Sequence, residues 1–303
     1  RHGPYRHPNH SGTMPLMSPT DRLTRPLKGL IVGQVRALFN DKARGETPVE
    51  RSQDALFPPD SVAWRVHGDV TSMLVGGIAA LLLQMLHPKV LAGVWDHSGF
   101  REDMQGRLRR TARFIAVTTF GAPDDARAML AKVRRIHDNI GGTLPDGTPY
   151  TASDPDLLAW VHVCEVLCFL DGWIRYGEPT MSRADQDRYV TEMARIAEPL
   201  GVSPMPHSRA EAEAIMAAMR PQLRVDARTR DVAHVLLDQP APSLAARSNC
   251  TAAPASRSLR NGVMTRRAIL PPMPRRCWRA RCARSARTRA RLWRPWSSWW
   301  LAR

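Results

Sequence analysis

The chain has 303 residues, 43% apolar and 24% charged, with five Cys and a formal net charge of +16. That composition excludes a disordered polypeptide, a disulfide-stapled mini-protein and a collagen-like fibre, and leaves one large domain or two small ones. The charge is unevenly placed: residues 1–246 carry 29 Lys and Arg against all 28 Asp and Glu, whereas residues 247–303 carry 15 Arg and no Lys, Asp or Glu.

In chain order, residues 1–56 read as an N-terminal extension, disordered over 1–20. Arg1 to Pro19 holds three His and four Pro but no apolar run of the kind a signal peptide needs. Only Cys164 and Cys168 lie in the balanced part of the chain. Two thiols in an apolar run make no disulfide framework, so a reducing, cytoplasmic setting is expected. Val70 to Leu86 runs without a charge. It holds Thr71, Ser72, Gln84 and the Gly76-Gly77 pair, and reads as the buried central helix of a soluble domain rather than a membrane span.

His87 to His97 reads as a turn, and Arg107–Phe120 as a helix. Pro123–Ile140 is strongly periodic, with Ala126, Met129, Leu130, Val133, Ile136, His137 and Ile140 on one face. Gly141-Gly142 stops it. Asp146-Gly147 makes a turn, and Asp154-Pro155 caps a largely buried helix running to Tyr176. Ser182 opens a helix to Glu198 that Pro199 halts. Ser208-Arg-Ala-Glu211 is a capping-box sequence for a helix ending at Arg220-Pro221. No strand pattern stands out. The fold class is all-α, a single multi-helix domain over 57–246.

The tail, 247–303, lacks Lys, Asp, Glu, His, Gln, Phe and Tyr yet holds five of the nine Trp. This is the composition of a GC-rich gene read out of frame from near Ala246–Cys250. Two other readings are a basic arm for nucleic acid and an Arg/Trp segment at a membrane surface.

Among residues able to carry chemistry, His137 lies on the apolar side of its helix. A neutral imidazole in a dry wall suits an axial iron ligand, but spacing alone favours a hydrogen-bonded core histidine. Arg107 and Thr111 share a face at i, i+4, where a guanidinium can neutralise a buried carboxylate. His87 and His97 read as structural hydrogen-bonding residues. His162, Cys164 and Glu165 point different ways around a helix and so do not suggest one tetrahedral metal site. No P-loop, dinucleotide fingerprint, nucleophile elbow or His-Glu-x-x-His occurs.

Six segments together resemble the MpaB/rubber oxygenase family. They are His87-Pro followed by Ala92-Gly-Val-Trp-Asp-His97-Ser-Gly-Phe100, Arg107-Leu-Arg-Arg-Thr111, Arg135-Ile-His137, Asp146-Gly-x-x-Tyr150-x-Ala-x-Asp154-Pro, Leu158-Ala-Trp-Val-His162 and Arg175-Tyr-Gly-x-Pro179. The resemblance runs from about Phe57 to Ala246. It implies an all-helical domain holding b-type haem (heme b) through one His, with dioxygen chemistry on an apolar, isoprenoid- or lipid-like substrate. Latex clearing proteins of this family cleave polyisoprene, and fungal members cleave a prenyl side chain.

Carried over by position, the iron ligand falls on His137 and the family's Arg and Thr on Arg107 and Thr111, with Arg110 beside the cofactor. In rubber-cleaving members a Lys at the Arg110 position can reach the sixth iron site. A guanidinium stays protonated and has no lone pair to offer. That departure, with no counterpart of the rubber enzymes' carboxylate base, weighs against polyisoprene. His162 belongs to a motif of many bacterial members and is not assigned as the ligand. The competing functions are a helical haem-binding protein without turnover, and a nucleic-acid or membrane-surface binder working through the tail; with the oxygenase reading, no nucleic-acid partner is expected.

Overall fold

The computed structural model describes residues 47–238; the expectations for residues 1–20 and 247–303 fall outside them. Nine α-helices lie within the described residues: α1 (Val62–His67), α2 (Val70–Gln84), α3 (Pro88–His97), α4 (Met104–Phe120), α5 (Pro123–Asp138), α6 (Pro155–Tyr176), α7 (Arg183–Leu200), α8 (Arg209–Met219) and α9 (Ala227–Leu237). A small antiparallel hairpin, β1 (Gly141–Thr143) and β2 (Pro149–Thr151), pairs Gly142 with Tyr150. The all-α class is correct, and the hairpin is its one addition. Its strands are too short to show alternation, though the Asp146-Gly147 turn at its tip is legible in the sequence. Gly147 sits at φ +87°, where a side chain would be strained.

Helix α6 is the axis of the bundle. Asp154 caps it by accepting from the Asp156 N–H, with Pro155 in its first turn. Trp160, Val163, Cys164, Val166, Leu167 and Leu170 are buried to within 1%. Its broadest packing is against α2, and α8, α7 and α1 cover the rest. At the α2–α6 crossing the backbones touch. A Cβ on Gly76 would stand 2.7 Å from the Cys168 carbonyl oxygen, and one on Gly172 would stand 2.8 Å from that of Ser72. Two glycines, one on each helix, permit this approach.

The expectation for Val70–Leu86 therefore needs correcting. α2 buries only its small and polar stripe, Ser72, Gly76, Ala80 and Gln84, against α6, and its leucines are half-buried. Among the described residues, α6 is the one helix long and apolar enough to cross a bilayer, and 72% of that stretch is buried inside the fold. α2 reaches such a length only together with α3, from which it is bent by 104°.

Other boundaries shift for local reasons. His87-Pro88 starts α3 instead of making a turn, because proline is well placed in a first turn. α7 runs through Pro199 and ends at Gly201, whose φ of +90° is the actual stop. In α8, Ser208 accepts from the Glu211 N–H (3.2 Å), but the Glu211 carboxylate takes the His207 N–H instead of that of Ser208. The reciprocal capping box lies at Asp226 and Thr229, which begins α9. A second core joins Met85, Leu91, Phe100, Met104, Val232 and Leu236.

Candidate functional site

Helices α4 and α5 pack together across the short break at Gly121-Ala122, so they must double back on one another. Asp103 starts α4 by accepting from the Gly106 N–H at 2.7 Å. Arg107 lies in the first turn of α4 and His137 in the last turn of α5, each about equally far from that break. The hairpin therefore carries both to the same end of the bundle.

His137 has Nδ1 buried with no hydrogen-bond partner. Burial lowers its pKa from the ordinary value, and Asp138 opposes this only partly, so the imidazole is neutral at neutral pH. Ala126 and Leu130 on its face are buried and Met129, Val133 and Ile140 half-buried, whereas Ile136 is 48% exposed. The expected apolar face is correct except at Ile136.

Arg107 is half-buried, and that burial, with Arg110 nearby, depresses its pKa. Its Nη1 donates to Ser98 Oγ at 2.9 Å, and no carboxylate among the described residues pairs with it. A partly desolvated guanidinium with one neutral acceptor is poised for an anion. Thr111 Oγ1 donates back to the Arg107 carbonyl at 3.2 Å, which leaves its lone pairs available. Arg110 departs from expectation. It is 68% exposed and lies 3.6 Å from Asp103 Oδ2, because its place along the helix carries it around toward solvent.

The end of α3 ties these pieces together. Ser98 Oγ, besides accepting from Arg107, donates to the Val94 carbonyl at 2.8 Å. His97 Nε2 donates to the Gly141 carbonyl at 3.0 Å, and Tyr150 donates to Asp96 at 2.9 Å. Asp96, His97 and Ser98 thus reach β2, β1 and α4 in turn. Nothing local in the sequence foretells Ser98, whose partner Arg107 lies on the next helix. His87 is buried, and its Nε2 meets Gln222 Oε1 at 3.2 Å. The hydrogen-bonding reading holds for His97 and for one nitrogen of His87, whose Nδ1 is buried without a partner among the described residues.

A second group of polar side chains lies within the bundle. His67 is fully partnered, with Nδ1 2.8 Å from Thr119 Oγ1 and Nε2 2.8 Å from the Tyr189 hydroxyl, and burial pulls its pKa down to about 3. His162 is different. Its Nε2 is buried without a partner, and burial lowers its pKa to about 4. Glu165, one turn further on, accepts from Gln84 Nε2 at 3.4 Å, and burial pushes its carboxyl up to about 7. Cys164 and Cys168 are free, buried thiols whose pKa values burial raises, that of Cys168 to about 12. Among the described residues no three His, Cys, Asp or Glu side chains gather as metal ligands. A recess of about 240 Å³ beside α3 contains Asp146 and Asp226, but both carboxylates are occupied, one in the hairpin turn and one capping α9.

Comparison with known proteins gives one positive finding. Residues 64–301 match the family described as ER-bound oxygenase mpaB/B'/Rubber oxygenase, catalytic domain. The match runs past Asp238, the last described residue, into the arginine-rich tail. Neither the curated proteins nor the solved structures contain a match. The matched span is well over half of the chain and takes in both ends of the α4–α5 hairpin and all of α6: the chain belongs to the MpaB/rubber oxygenase catalytic-domain family.

Proposed function

We propose that this protein is a haem b-dependent oxygenase that acts with dioxygen on an apolar, isoprenoid- or lipid-like substrate. The observation that carries the reading is His137, a neutral imidazole on a half-covered apolar helix face whose buried Nδ1 has no partner among the described residues. The residues around it suit a haem. Met129, Val133 and Ile140 offer an apolar wall on the same helix face, and Arg107 offers a partly desolvated positive charge at the same level of the hairpin. When bound, the haem supplies the oxygen-activating chemistry.

The chain's own side chains then have separate tasks. His137 holds the iron. Arg107, anchored by Ser98, neutralises a propionate carboxylate, and Thr111, whose hydroxyl donates to the Arg107 carbonyl, lines the same helix face. Arg110 takes no part, since it faces water. An arginine in the place of the sixth-site lysine also favours a substrate other than polyisoprene.

The test is spectroscopic. Purified chain offered hemin develops a Soret band that His137→Ala shifts or abolishes, and the wild type consumes oxygen with an isoprenoid present. A colourless wild type, or an identical band in the variant, overturns the iron assignment. A Soret band without oxygen uptake would leave a haem-binding protein that does not turn over.

A further inference from the structure

Two groups inside the bundle have no part in that scheme. His162 keeps only 7% of its surface exposed, and its Nε2 lacks a partner. Leaving such a nitrogen unpaired costs about 1–3 kcal/mol, so a buried orphan of this kind calls for a partner. Glu165 stands one turn further along α6; the expectation that His162, Cys164 and Glu165 all point different ways holds for Cys164 but not for this pair, which at i, i+3 lie on neighbouring parts of one face. Its carboxyl has one protein partner, Gln84, at a long 3.4 Å. The Gln84 amide is fixed in turn by donating to the Val161 carbonyl at 3.3 Å.

Glu165 also keeps accessible surface, although Val163, Cys164, Val166 and Leu167 around it are buried. Glu165 faces α2 through Gln84, and its charge helps to raise the pKa of the buried Tyr189 hydroxyl on α7, so it lies between those two helices. We propose that His162 and Glu165, with Gln84 opposite them on α2, form a neutral hydrogen-bonding subsite that takes the uncharged hydroxyl or carbonyl group of an otherwise apolar substrate. This rests on the oxygenase reading above and narrows it, since a pure hydrocarbon would leave His162 Nε2 unpaired and Glu165 with Gln84 alone.

The chemistry matches on charge as well. With its carboxyl pushed up to about 7 and its imidazole down to about 4, the pair presents an O–H donor and a neutral ring near pH 6. A charged ligand would find no counter-ion there and would be penalised by burial. An alcohol can both donate to the imidazole and accept from the acid, and a carbonyl can accept from either.

Trp160 provides a reporter, because its indole N–H donates to the Gln84 carbonyl at 3.3 Å. Farnesol and farnesene are titrated into the full chain at pH 6 by tryptophan fluorescence, with and without hemin. The wild type should bind farnesol about tenfold more tightly than farnesene, as one or two net hydrogen bonds allow. Glu165→Leu and His162→Phe should each reduce that preference to about twofold or less with farnesene binding unchanged, and Glu165→Gln should keep it. Equal affinities in the wild type, or a preference that survives both apolar variants, would overturn the subsite. Should Glu165→Leu not fold, His162→Phe decides alone. A preparation that discriminates the two probes but stays colourless with hemin sinks the haem assignment and leaves the subsite; one that takes up hemin without discriminating does the reverse.

Discussion

Helices α5 and α6 both display long apolar faces in sequence, and the fold uses them differently. α6 buries thirteen of its 22 residues, with neighbours on every side. α5 buries only Ala126 and Leu130 of sixteen, and beyond them Val133 and His137 are half-covered and Ile136 is open to solvent. The first helix is invested in cohesion, down to backbone contact through Gly76 and Gly172. Both carry an imidazole with an unpaired nitrogen, His162 among packed helices on the first and His137 on the half-covered face of the second, at the end where Arg107 meets no carboxylate among the described residues. Groups left unsatisfied by the fold lower stability, and they concentrate where a protein does its chemistry.

That contrast is broken most forcefully at the α2–α6 crossing. A side chain on Gly76 meets main-chain atoms, the Cys168 carbonyl oxygen at 2.7 Å and Phe169 Cα at 3.0 Å, which cannot rotate away. Gly76→Val should therefore cost about 3 kcal/mol or more in urea unfolding, at the upper end for overpacked cores. His137→Ala, by comparison, should change stability by less than about 1 kcal/mol while removing the haem band. Comparable losses for the two would show that the α5 face is as much a part of the core as α6.

The buried acid on α6 gives the next effect. In the unfolded chain Glu165 ionises near its ordinary value of 4.5, and in the folded chain near 7. Between those values the native state binds the extra proton, so stability falls as pH rises, by up to about 1.4 kcal/mol per pH unit, and is level above the folded value. His67 and His162 act in the opposite sense. Burial holds them neutral to about 3 and about 4, so they lose stability as pH falls below 6.5. Glu165→Gln should remove the falling contribution alone. Denaturant midpoints measured between the two Glu165 values should then rise with pH more steeply than in the wild type, and parallel curves would show that this carboxyl is ionised in the fold.

Much of this architecture can be read from local chemistry. Asp154-Pro155 locates the start of α6 and Asp124-Asp125 the start of α5, because caps and first-turn charges are short-range signals. His137 and Arg107 are visible as residues on particular faces. What escapes is set by partners distant in the chain. Gln84 on α2 meets Glu165 on α6, and the acidity of that carboxyl depends on the helices packed around it. Pro88 and Pro199 mislead because a proline near either end of a helix is tolerated, and only the positive φ of Gly201 marks the true end of α7. Hydropathy alone makes α2 the fully buried helix, since its leucines outweigh its glycines in any average, whereas the contact is decided by where the backbone can approach.

The finest version of the comparison lies within one turn of α4. Arg107 and Arg110 both lie in the segment that resembles the family's motif, yet one is half-buried against Ser98 and the other is 68% exposed near Asp103. If Arg107 is there to meet a carboxylate, it burdens the chain alone and helps it when loaded. Arg107→Met, which keeps the bulk and removes the charge, should raise the stability of the haem-free chain by about 1 kcal/mol. The same change should erase a preference of about tenfold for hemin over its dimethyl ester, since a charge-assisted bond is worth roughly 1.5–3 kcal/mol at most. Arg110→Ala should move stability by no more than about 0.5 kcal/mol, as expected for an exposed pair, and leave the hemin preference intact. If Arg110→Ala erased the preference and Arg107→Met did not, the carboxylate would be met from the outer face of α4, and the half-buried guanidinium would be serving only Ser98.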